Sequence, residues 1–338
     1  MSHSPPFVYL SRNDLEALAV STAESVAAIE SMIEGQVCGR VWTTPKSAFT
    51  TPDGRYMMST LAASDDPPLL VVKSLVLDPG EPERRRPGIP AINSTVTVLD
   101  SRTGLPVAII DGNWITAIRT AGLSAVAAKR LARADASVVA FIGCGVQANS
   151  HLTAFSEIFS LAEVRVFGRG RGNRDALCAR AEWMGYRAVA SRSGQEAVEG
   201  ADLVVTSVTL SPDTTPFLDA RGLRPGAFAA VTDFARPWHA EHLSCFDRIV
   251  VDDLEQETAS ATPMVDPGLV RGDLKGLVAG EVPPRASDEE RSAFIFRGHA
   301  IGDLALAAVV CRKAREAGAG TPIRSQDSPD SAVPESSR

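Results

Sequence analysis

Two basic residues stand in surroundings that would be unfavourable for a cation without a partner. Lys73 interrupts the apolar run LLVVKSLVL, and Arg119 lies near the start of a stretch of small and apolar residues. Burying an unpaired cation is costly, so each is expected to meet an anion. A guanidinium binds a carboxylate through two parallel hydrogen bonds, whereas an ammonium acts as a point charge. We therefore predict that Lys73 and Arg119 bind a substrate carboxylate, with a lysine at a strand edge as the simpler alternative for Lys73.

A second candidate site lies in residues 136–148, ASVVAFIGCGVQA, where an apolar run rich in β-branched residues ends in glycines. This order is typical of a buried parallel strand that passes through a tight turn into a helix and binds a dinucleotide. The pyrophosphate of the nucleotide would bind the free N–H groups at the helix N-terminus. Cys144 is interpreted as a packing residue. The predicted cofactor-binding residues of this turn are Gly143, Gly145, Val146, Gln147 and Ala148.

The preference between NAD and NADP is predicted from the next strand-like segment. In dinucleotide-binding folds, a carboxylate at its end binds the ribose of NAD, whereas cations accommodate the 2′-phosphate of NADP. Here the segment EVRVF is followed by Gly168, Arg169, Gly170 and Arg171. We predict that Arg169 and Arg171 favour NADPH, with NADH still possible and a solvated basic turn as the structural alternative. A later strand end would line the same cleft with Ser207, Val208 and Thr209.

Periodicity predicts the elements that must position these residues. An amphipathic helical pattern covers residues 9–35, with Ser11 as a helix N-cap. Short runs with period two follow between residues 40 and 111, and a helix is predicted from Thr116 to about Ala132. Strand and helix patterns then alternate, which predicts a doubly wound parallel sheet and an α/β fold. A last amphipathic helix covers residues 301–318, and the polar residues 325–338 are predicted to be disordered.

Bulk properties exclude several classes of protein. The 338-residue chain has a net charge of −7, which argues against nucleic-acid binding. No apolar run reaches membrane-spanning length, so no membrane association is predicted and the expected compartment is the cytoplasm. The five cysteines are dispersed without a C-x-x-C pair. They are therefore interpreted as reduced thiols, and no metal site is predicted.

Taken together, the motifs resemble the ornithine cyclodeaminase/μ-crystallin family over most of the chain. The most specific segment runs from Asp111-Gly112 to Ile115-Thr116-Ala117-x-Arg119-Thr120-Ala121, directly before the glycine turn. Pro45-Lys46 is similar to the family's Pro-x-Arg neighbourhood, and Val72-Lys73-Ser74 to its lysine strand. Phe296, Gly298 and Ala300-Ile301-Gly302-Asp303 resemble the start of its C-terminal helix.

This resemblance implies a Rossmann domain over residues 131–300, beside an α/β substrate-binding and dimerisation domain. The latter would cover residues 1–130 and be completed by the helix at 301–320. The family comprises NAD(P)-dependent cyclodeaminases, an alanine dehydrogenase and reductases of ketimines and other α-imino acids. A homodimer is therefore expected.

The resemblance also assigns roles to individual residues. It places Lys73 and Arg119 at the substrate carboxylate and Thr120 at the cofactor. Lys46 stands where the family has an arginine, which should weaken planar recognition of a carboxylate. His299 is predicted to bind substrate, with a packed or capping histidine as the alternative. Asp303 is interpreted as a partner of the helix dipole rather than a catalyst.

The loop VTDFARPWHAEHL departs from the cyclodeaminases, which carry an aspartate two residues before its proline. In this chain that position is Ala235, and Asp233 lies two residues further upstream. Either the loop is rebuilt so that Asp233 serves, or the cyclodeaminase carboxylate is missing. The second interpretation is preferred, and it favours simple imine reduction.

The predicted activity is therefore NAD(P)H-dependent reduction of a small α-imino acid, a cyclic ketimine or an acyclic one such as iminosuccinate. A solvated loop is the preferred interpretation of Arg84, Arg85 and Arg86. Binding of a second carboxylate is the alternative. Lys73 has a further possible role as proton donor to the imine nitrogen. The alternative functions are an ornithine or lysine cyclodeaminase with bound NAD, and a non-catalytic nucleotide-binding or ligand-binding protein.

Overall fold

Two eight-stranded sheets organise the chain, in a computed structural model that describes residues 6–77, 89–209 and 214–323. The first sheet contains β1 (Phe7–Leu10), β2 (Val41–Thr43), β3 (Ser47–Thr50), β4 (Tyr56–Asp65), β5 (Pro68–Leu77), β6 (Ile92–Asp100), β7 (Pro106–Asp111) and β16 (Thr321–Ile323). The second sheet contains β8 (Val138–Ile142), β9 (Glu163–Phe167), β10 (Arg187–Ala190), β11 (Leu203–Thr206), β12 (Phe228–Val231), β13 (Arg248–Val251), β14 (Val270–Asp273) and β15 (Ser292–Ile295). The helices are α1 (Arg12–Ala17), α2 (Thr22–Val37), α3 (Gly112–Leu131), α4 (Val146–Ile158), α5 (Arg171–Trp183), α6 (Gly194–Val198), α7 (Leu254–Thr258), α8 (Leu274–Ala279) and α9 (Ala300–Ala317).

The first sheet is largely antiparallel, in the order β16-β1-β7-β6-β5-β4-β2, with β3 paired to β4. Helices α3 and α9 pack against it, and α2 packs against both helices. Alternate residues of β5 face these helices, so Leu69, Val71 and Lys73 are buried together. The two-residue period of a strand therefore places Lys73 on the covered face of the sheet, among apolar neighbours.

All pairings in the second sheet are parallel, in the order β10-β9-β8-β11-β12-β15-β13-β14. This confirms the predicted doubly wound α/β sheet. The strand order reverses at β8, which lies between β9 and β11. Ligands of such folds bind at this switch point, beyond the carboxyl ends of the strands. The glycine turn, defined here as Gly143 to Gly145, follows β8 at that position.

Local signals mark three of the helix ends. Ser11 caps α1 as predicted, within a capping box with Asp14, and Ser21 begins α2 in the same way. The pattern at 9–35 is therefore two helices. Gly318 ends α9 in a left-handed conformation with φ 62°.

Several element predictions were incomplete or displaced. Helix α3 begins at Gly112 rather than Thr116. Strands β1, β14, β15 and β16 were not predicted from the sequence, because none of them contains a run of β-branched residues.

One hydrophobic cluster extends from the first sheet through α3 and α9 to α4 and one side of the second sheet. A second cluster covers the opposite side of the second sheet. The domain boundaries at residues 130 and 300 stay a prediction. The predictions on Arg84 to Arg86 and on the tail at 325–338 lie outside the described residues.

Within the three described ranges, no helix is long and apolar enough to cross a membrane. The same ranges contain no group of three or more His, Cys, Asp or Glu side chains placed to hold a metal ion.

Candidate active site

Lys73 forms a buried ion pair with Asp303. The Nζ atom lies 2.7 Å from Oδ1 of Asp303, and both side chains are almost completely inaccessible to solvent. Thr60, which is paired with Lys73 across β4 and β5, donates a hydrogen bond of 3.2 Å to Oδ2 of Asp303. Asp303 lies in the first turn of α9, as its interpretation as a partner of the helix dipole requires. It is in addition the counter-ion of Lys73.

Charge and burial oppose each other in this pair. Burial, together with the nearby Arg119, lowers the pKa of Lys73 to about 8 even though Asp303 opposes the shift. Burial disfavours ionisation of Asp303, but Lys73 and Arg119 outweigh it and lower the pKa of this carboxyl. Asp303 is thus ionised at neutral pH. The pKa of Lys73 lies close enough to neutral pH for its ammonium to exchange a proton.

Arg119 has hydrogen-bond donors that no described residue uses. Its side chain lies on α3 and is only 7% exposed, with Nε 3.2 Å from Oδ1 of Asp303. This contact has ion-pair distance but lacks hydrogen-bond geometry, so Nε and Nη1 both have no hydrogen-bond partner. Buried donors without a partner are costly, which indicates that the guanidinium is arranged for an external acceptor.

Gly302 and Gly298 both lie against the Arg119 side chain. A Cβ at Gly302 would lie 3.2 Å from both Cβ and Cδ of Arg119, which is a tight contact, whereas one at Gly298 would lie at an ordinary contact distance of 3.6 Å from Nη2. Gly298 also has φ 108°, a conformation that favours glycine. Thr116 lies one turn before Arg119 on α3 and also has a buried hydroxyl without a partner. The sequence analysis did not assign Thr116 a role.

Lys46 lies close to these groups, just before β3. Its Nζ atom donates a hydrogen bond of 2.8 Å to the carbonyl oxygen of Arg297. Burial lowers the pKa of Lys46 to about 8, Asp252 opposes the shift, and Arg297, Arg119 and Lys73 add to it. Lys46, Lys73 and Arg119, called the cation cluster below, therefore sense one another's charge. The structure brings together the three basic residues that the sequence analysis assigned to a carboxylate.

His299 caps the helix that carries Asp303. Its side chain accepts a hydrogen bond from the Ile301 N–H at 3.4 Å, and its Nε2 atom lies 3.0 Å from Oδ2 of Asp253. These contacts match the capping alternative. A direct contact with substrate stays a prediction.

The backbone of the glycine turn has the conformation that the sequence predicts. Gly143 has φ 96°, and a Cβ there would lie 2.5 Å from the carbonyl oxygen of Ser207. Gly145 begins α4 without a side-chain cap, and a Cβ at Gly145 would meet nothing within 4 Å. The first N–H groups of α4 are thus open to an anion at a positive helix end. Ala148 is fully buried.

Two polar atoms beside the turn, the amide oxygen of Gln147 and the hydroxyl of Ser207, are buried and have no hydrogen-bond partner among the described residues. They fit a polar ligand at this position. Cys144 packs in the turn, and burial raises its pKa to about 11, which agrees with a packing role. Thr120 is buried beside Arg119 on α3, and Val146 is 65% exposed at the start of α4.

Arg169 and Arg171 are both exposed between β9 and α5, and neither forms an ion pair with another described residue. Gly170 begins α5 without a side-chain cap. The Val208 N–H is bound to Asp233, and Thr209 is exposed. The arrangement has the charge and the free donors that a nucleotide phosphate requires.

Asp233 is fully engaged within the second sheet. Its carboxylate accepts hydrogen bonds from Thr206 Oγ1 at 2.9 Å and from the Val208 N–H at 3.0 Å. Burial raises the pKa of this carboxyl to about 7. Asp233 thus connects the ends of β11 and β12, and Ala235 provides no carboxylate at the cyclodeaminase position.

Comparisons with known proteins cover nearly the whole fold. The model of the "Ornithine cyclodeaminase/mu-crystallin family" matches residues 8–318. The ketimine reductase mu-crystallin of Mus musculus is 34% identical over 226 residues, which cover 66% of this chain and 70% of that protein.

Two solved structures share this fold. The Delta(1)-pyrroline-2-carboxylate reductase of Thermococcus litoralis, in complex with NADH and L-proline, has a TM-score of 0.83 and 25% identity, covering 94% of this chain and 100% of that chain. An archaeal alanine dehydrogenase dimer with bound NAD has a TM-score of 0.82 and 26% identity, covering 94% of this chain and 99% of that chain.

Proposed function

The chain belongs to the ornithine cyclodeaminase/mu-crystallin family, and we propose that it is an NAD(P)H-dependent reductase of a small α-imino acid. The observation that carries the proposal is the buried Arg119 guanidinium, whose Nε and Nη1 donors have no partner among the described residues. A substrate carboxylate would accept a hydrogen bond from Nη1, and Lys73 and Lys46 add positive charge beside it. The mouse relative is named a ketimine reductase, and the Thermococcus relative reduces a cyclic imine by its name.

In this proposal the cation cluster orients the substrate. Arg119 binds the carboxylate through its planar guanidinium, and the two ammonium groups fix its position, so that the imine carbon is held in one place. When bound at the glycine turn, the nicotinamide cofactor supplies the hydride that reduces the C=N bond and is itself oxidised to NAD(P)⁺. The imine nitrogen takes one proton, and Lys73 is the proposed donor or electrostatic guide. Asp303 keeps Lys73 in place and stabilises its charged form.

The wall beside the cation cluster favours an uncharged side chain on the substrate. On the face of the first sheet that carries Lys73, the next cross-strand row is Met58, Leu75 and Ser94. This row lies about 7 Å further along the strands. It borders a cavity of about 690 Å³, whose one charged residue within the described ranges is Asp111. The Asp111 carboxylate already caps α3 through the Trp114 N–H at 2.8 Å. The apolar side chains of Met58 and Leu75 support a cyclic or short aliphatic imino acid as the proposed substrate.

For the cofactor we propose a preference for NADPH, supported by the exposed guanidinium groups of Arg169 and Arg171, which form no ion pair with another residue that the structure describes. The two solved relatives contain NADH and NAD. The preference is therefore a feature proposed for this chain, to be measured with both cofactors.

We also propose a homodimer, located in the cytoplasm. The face of the first sheet opposite the helices exposes large apolar side chains, including Tyr9, Trp42 and Leu61 at 40%, 49% and 38%. Exposed apolar patches of this kind mark association surfaces. Analytical ultracentrifugation tests the assembly, and a monomer at micromolar concentration would contradict it.

A screen of substrates tests the activity. The purified protein is mixed with NADPH or NADH and with pyrroline-2-carboxylate, piperideine-2-carboxylate, or 2-oxo acids plus ammonia or methylamine. Oxidation of the cofactor is followed by absorbance. We expect turnover with neutral imino acids, and an Arg119→Ala variant serves as the matched inactive control. Ammonia release from ornithine or lysine without net cofactor oxidation would favour a cyclodeaminase. Cofactor binding without any turnover would favour a non-catalytic ligand-binding protein.

A further inference from the structure

The loop after β12 holds two consecutive non-glycine residues in the left-handed region. Phe234 has φ 56° and Ala235 has φ 57°. Side chains with a Cβ adopt this conformation rarely, and it persists only where the surroundings enforce it. Here the loop is fixed on both sides, because Asp233 is bound to β11 and the Trp238 N–H donates to the Ala235 carbonyl at 3.0 Å.

The consequence of this backbone is the position of the Phe234 ring. The ring centroid lies 5.5 Å from Nζ of Lys46 and 5.5 Å from the guanidinium carbon of Arg297. Both distances are within the range of cation–π attraction. Lys46 also donates its hydrogen bond to the Arg297 carbonyl, so the ring and this carbonyl together hold the ammonium.

Lys46 needs such support because its charged neighbours are mostly positive. Arg297, Arg119 and Lys73 disfavour its charge, and Asp252 favours it. No carboxylate of the described residues lies within ion-pair distance of Lys46, and Arg297 is itself paired with Glu257 at 2.9 Å. Burial and these neighbours bring the pKa of Lys46 down to about 8, close to neutral pH, and the face of an aromatic ring adds stabilisation to the charged form.

We propose that Phe234 is a positioning residue, whose strained backbone places its ring so that the Lys46 ammonium stays charged and fixed within the cation cluster. This inference rests on the proposed function, in which Lys46 contributes to carboxylate binding. It also connects the two sheets, because the same loop is bonded through Asp233 to the end of β11 beside the cofactor turn.

The test compares three variants of the full-length protein with the wild type by steady-state kinetics. In Phe234→Leu we expect the KM for the imino acid to rise about 3–10-fold with little change in kcat. We also expect the alkaline limb of kcat/KM to move down by about 0.5–1 pH unit. Phe234→Tyr keeps an aromatic ring and should retain both values. Phe234→Asn also removes the ring, but asparagine tolerates the left-handed backbone. It should therefore show the changes in KM and in the alkaline limb even if Phe234→Leu folds poorly.

Phe246→Leu is the structural control. Its ring packs on Trp238 in the same region at a centroid distance of 5.7 Å and forms no cation–π contact among the described residues. We expect it to lower the Tm while leaving the KM and the alkaline limb unchanged. If Phe246→Leu moved both values as much as Phe234→Leu does, the effect would be general loosening and the proposal would be overturned.

A second measurement does not depend on turnover. The chain contains five lysines, so protein labelled with ¹³C at lysine Cε gives few signals, and a Lys46→Arg variant assigns the Lys46 signal. We expect Phe234→Leu and Phe234→Asn to lower the pKa of Lys46 and Phe234→Tyr to leave it near the wild-type value. An unchanged pKa in folded Phe234→Asn protein overturns the proposal. If Phe234→Leu and Phe234→Asn lower the pKa of Lys46 but the wild-type protein reduces no imino acid, the Phe234–Lys46 contact is supported and the proposed function is rejected.

Discussion

The cation cluster on the first sheet and the glycine turn on the second sheet bind their proposed ligands by opposite means. The cluster uses buried side-chain charges, with Asp303 as counter-ion and Arg119 left with free donors. The turn uses backbone N–H groups and the absence of side chains at Gly143 and Gly145. Substitutions in the cluster should therefore change electrostatics and substrate binding, whereas substitutions in the turn should act by steric exclusion of the cofactor.

The largest effect is expected for Arg119→Ala. Removal of one partner of a buried charged contact costs about 2–5 kcal/mol, which corresponds to a loss of about 30–5,000-fold in kcat/KM. Cofactor affinity should change by less than about threefold, because the glycine turn keeps its backbone. Steady-state kinetics measure kcat/KM, and a fluorescence titration with NADPH measures the cofactor affinity. A parallel loss of cofactor affinity would contradict the separation of the two regions.

The glycine turn offers a matched pair of variants. A Cβ at position 143 would meet the Ser207 carbonyl at 2.5 Å and adopt φ 96°, so Gly143→Ala should lower both cofactor affinity and the free energy of unfolding. Gly145→Ala meets nothing within 4 Å. It should fold normally and still weaken cofactor binding by about tenfold or more, because Gly145 lets the backbone approach the pyrophosphate. Urea unfolding measures the stability of both variants, and a cofactor titration measures their affinity. Equal losses of stability in Gly143→Ala and Gly145→Ala would contradict this account.

The pH dependence of kcat/KM should report the cation cluster. Lys73 and Lys46 each have a pKa lowered to about 8. The protonated forms bind the carboxylate, so kcat/KM should be full below that pH and fall about a hundredfold per unit above it, tenfold for each lysine. Asp303 has a lowered pKa and stays ionised throughout this range.

In this chain, Lys46→Arg is the informative control for the pH profile. An arginine at position 46 does not titrate, so the alkaline limb should become less steep, and the planar guanidinium should tighten substrate binding. An unchanged profile would leave Lys73 alone responsible for the alkaline limb.

The smallest effect is expected at the exposed arginines. Arg169→Ala and Arg171→Ala remove solvent-exposed charges, whose contributions are modest. Each should raise the KM for NADPH by up to about tenfold, leave the KM for NADH nearly unchanged and not alter the Tm. Equal increases in the KM for both cofactors would indicate that the arginines bind a part of the cofactor that NADH and NADPH share.

Sequence reasoning identified the features that depend on neighbours along the chain. The glycine turn and the caps at Ser11 and Gly318 are local patterns, and the structure places each as predicted. The short strands β14 and β15 were missed, because their pairing is decided by the rest of the sheet. Asp303 was assigned to the helix dipole, since its partner Lys73 lies 230 positions away in the chain.

The sequence by itself determined the family, the α/β class, the glycine turn and the identity of the three cationic residues, because each rests on residue type and local spacing. The tertiary structure alone decided which charges meet. It buried Lys73 against Asp303, left the donors of Arg119 free and placed the Phe234 ring beside Lys46. The physical reason is that the energy of a buried charge depends on its distance to other charges and on its exclusion from water. Both quantities are set by how distant segments pack together.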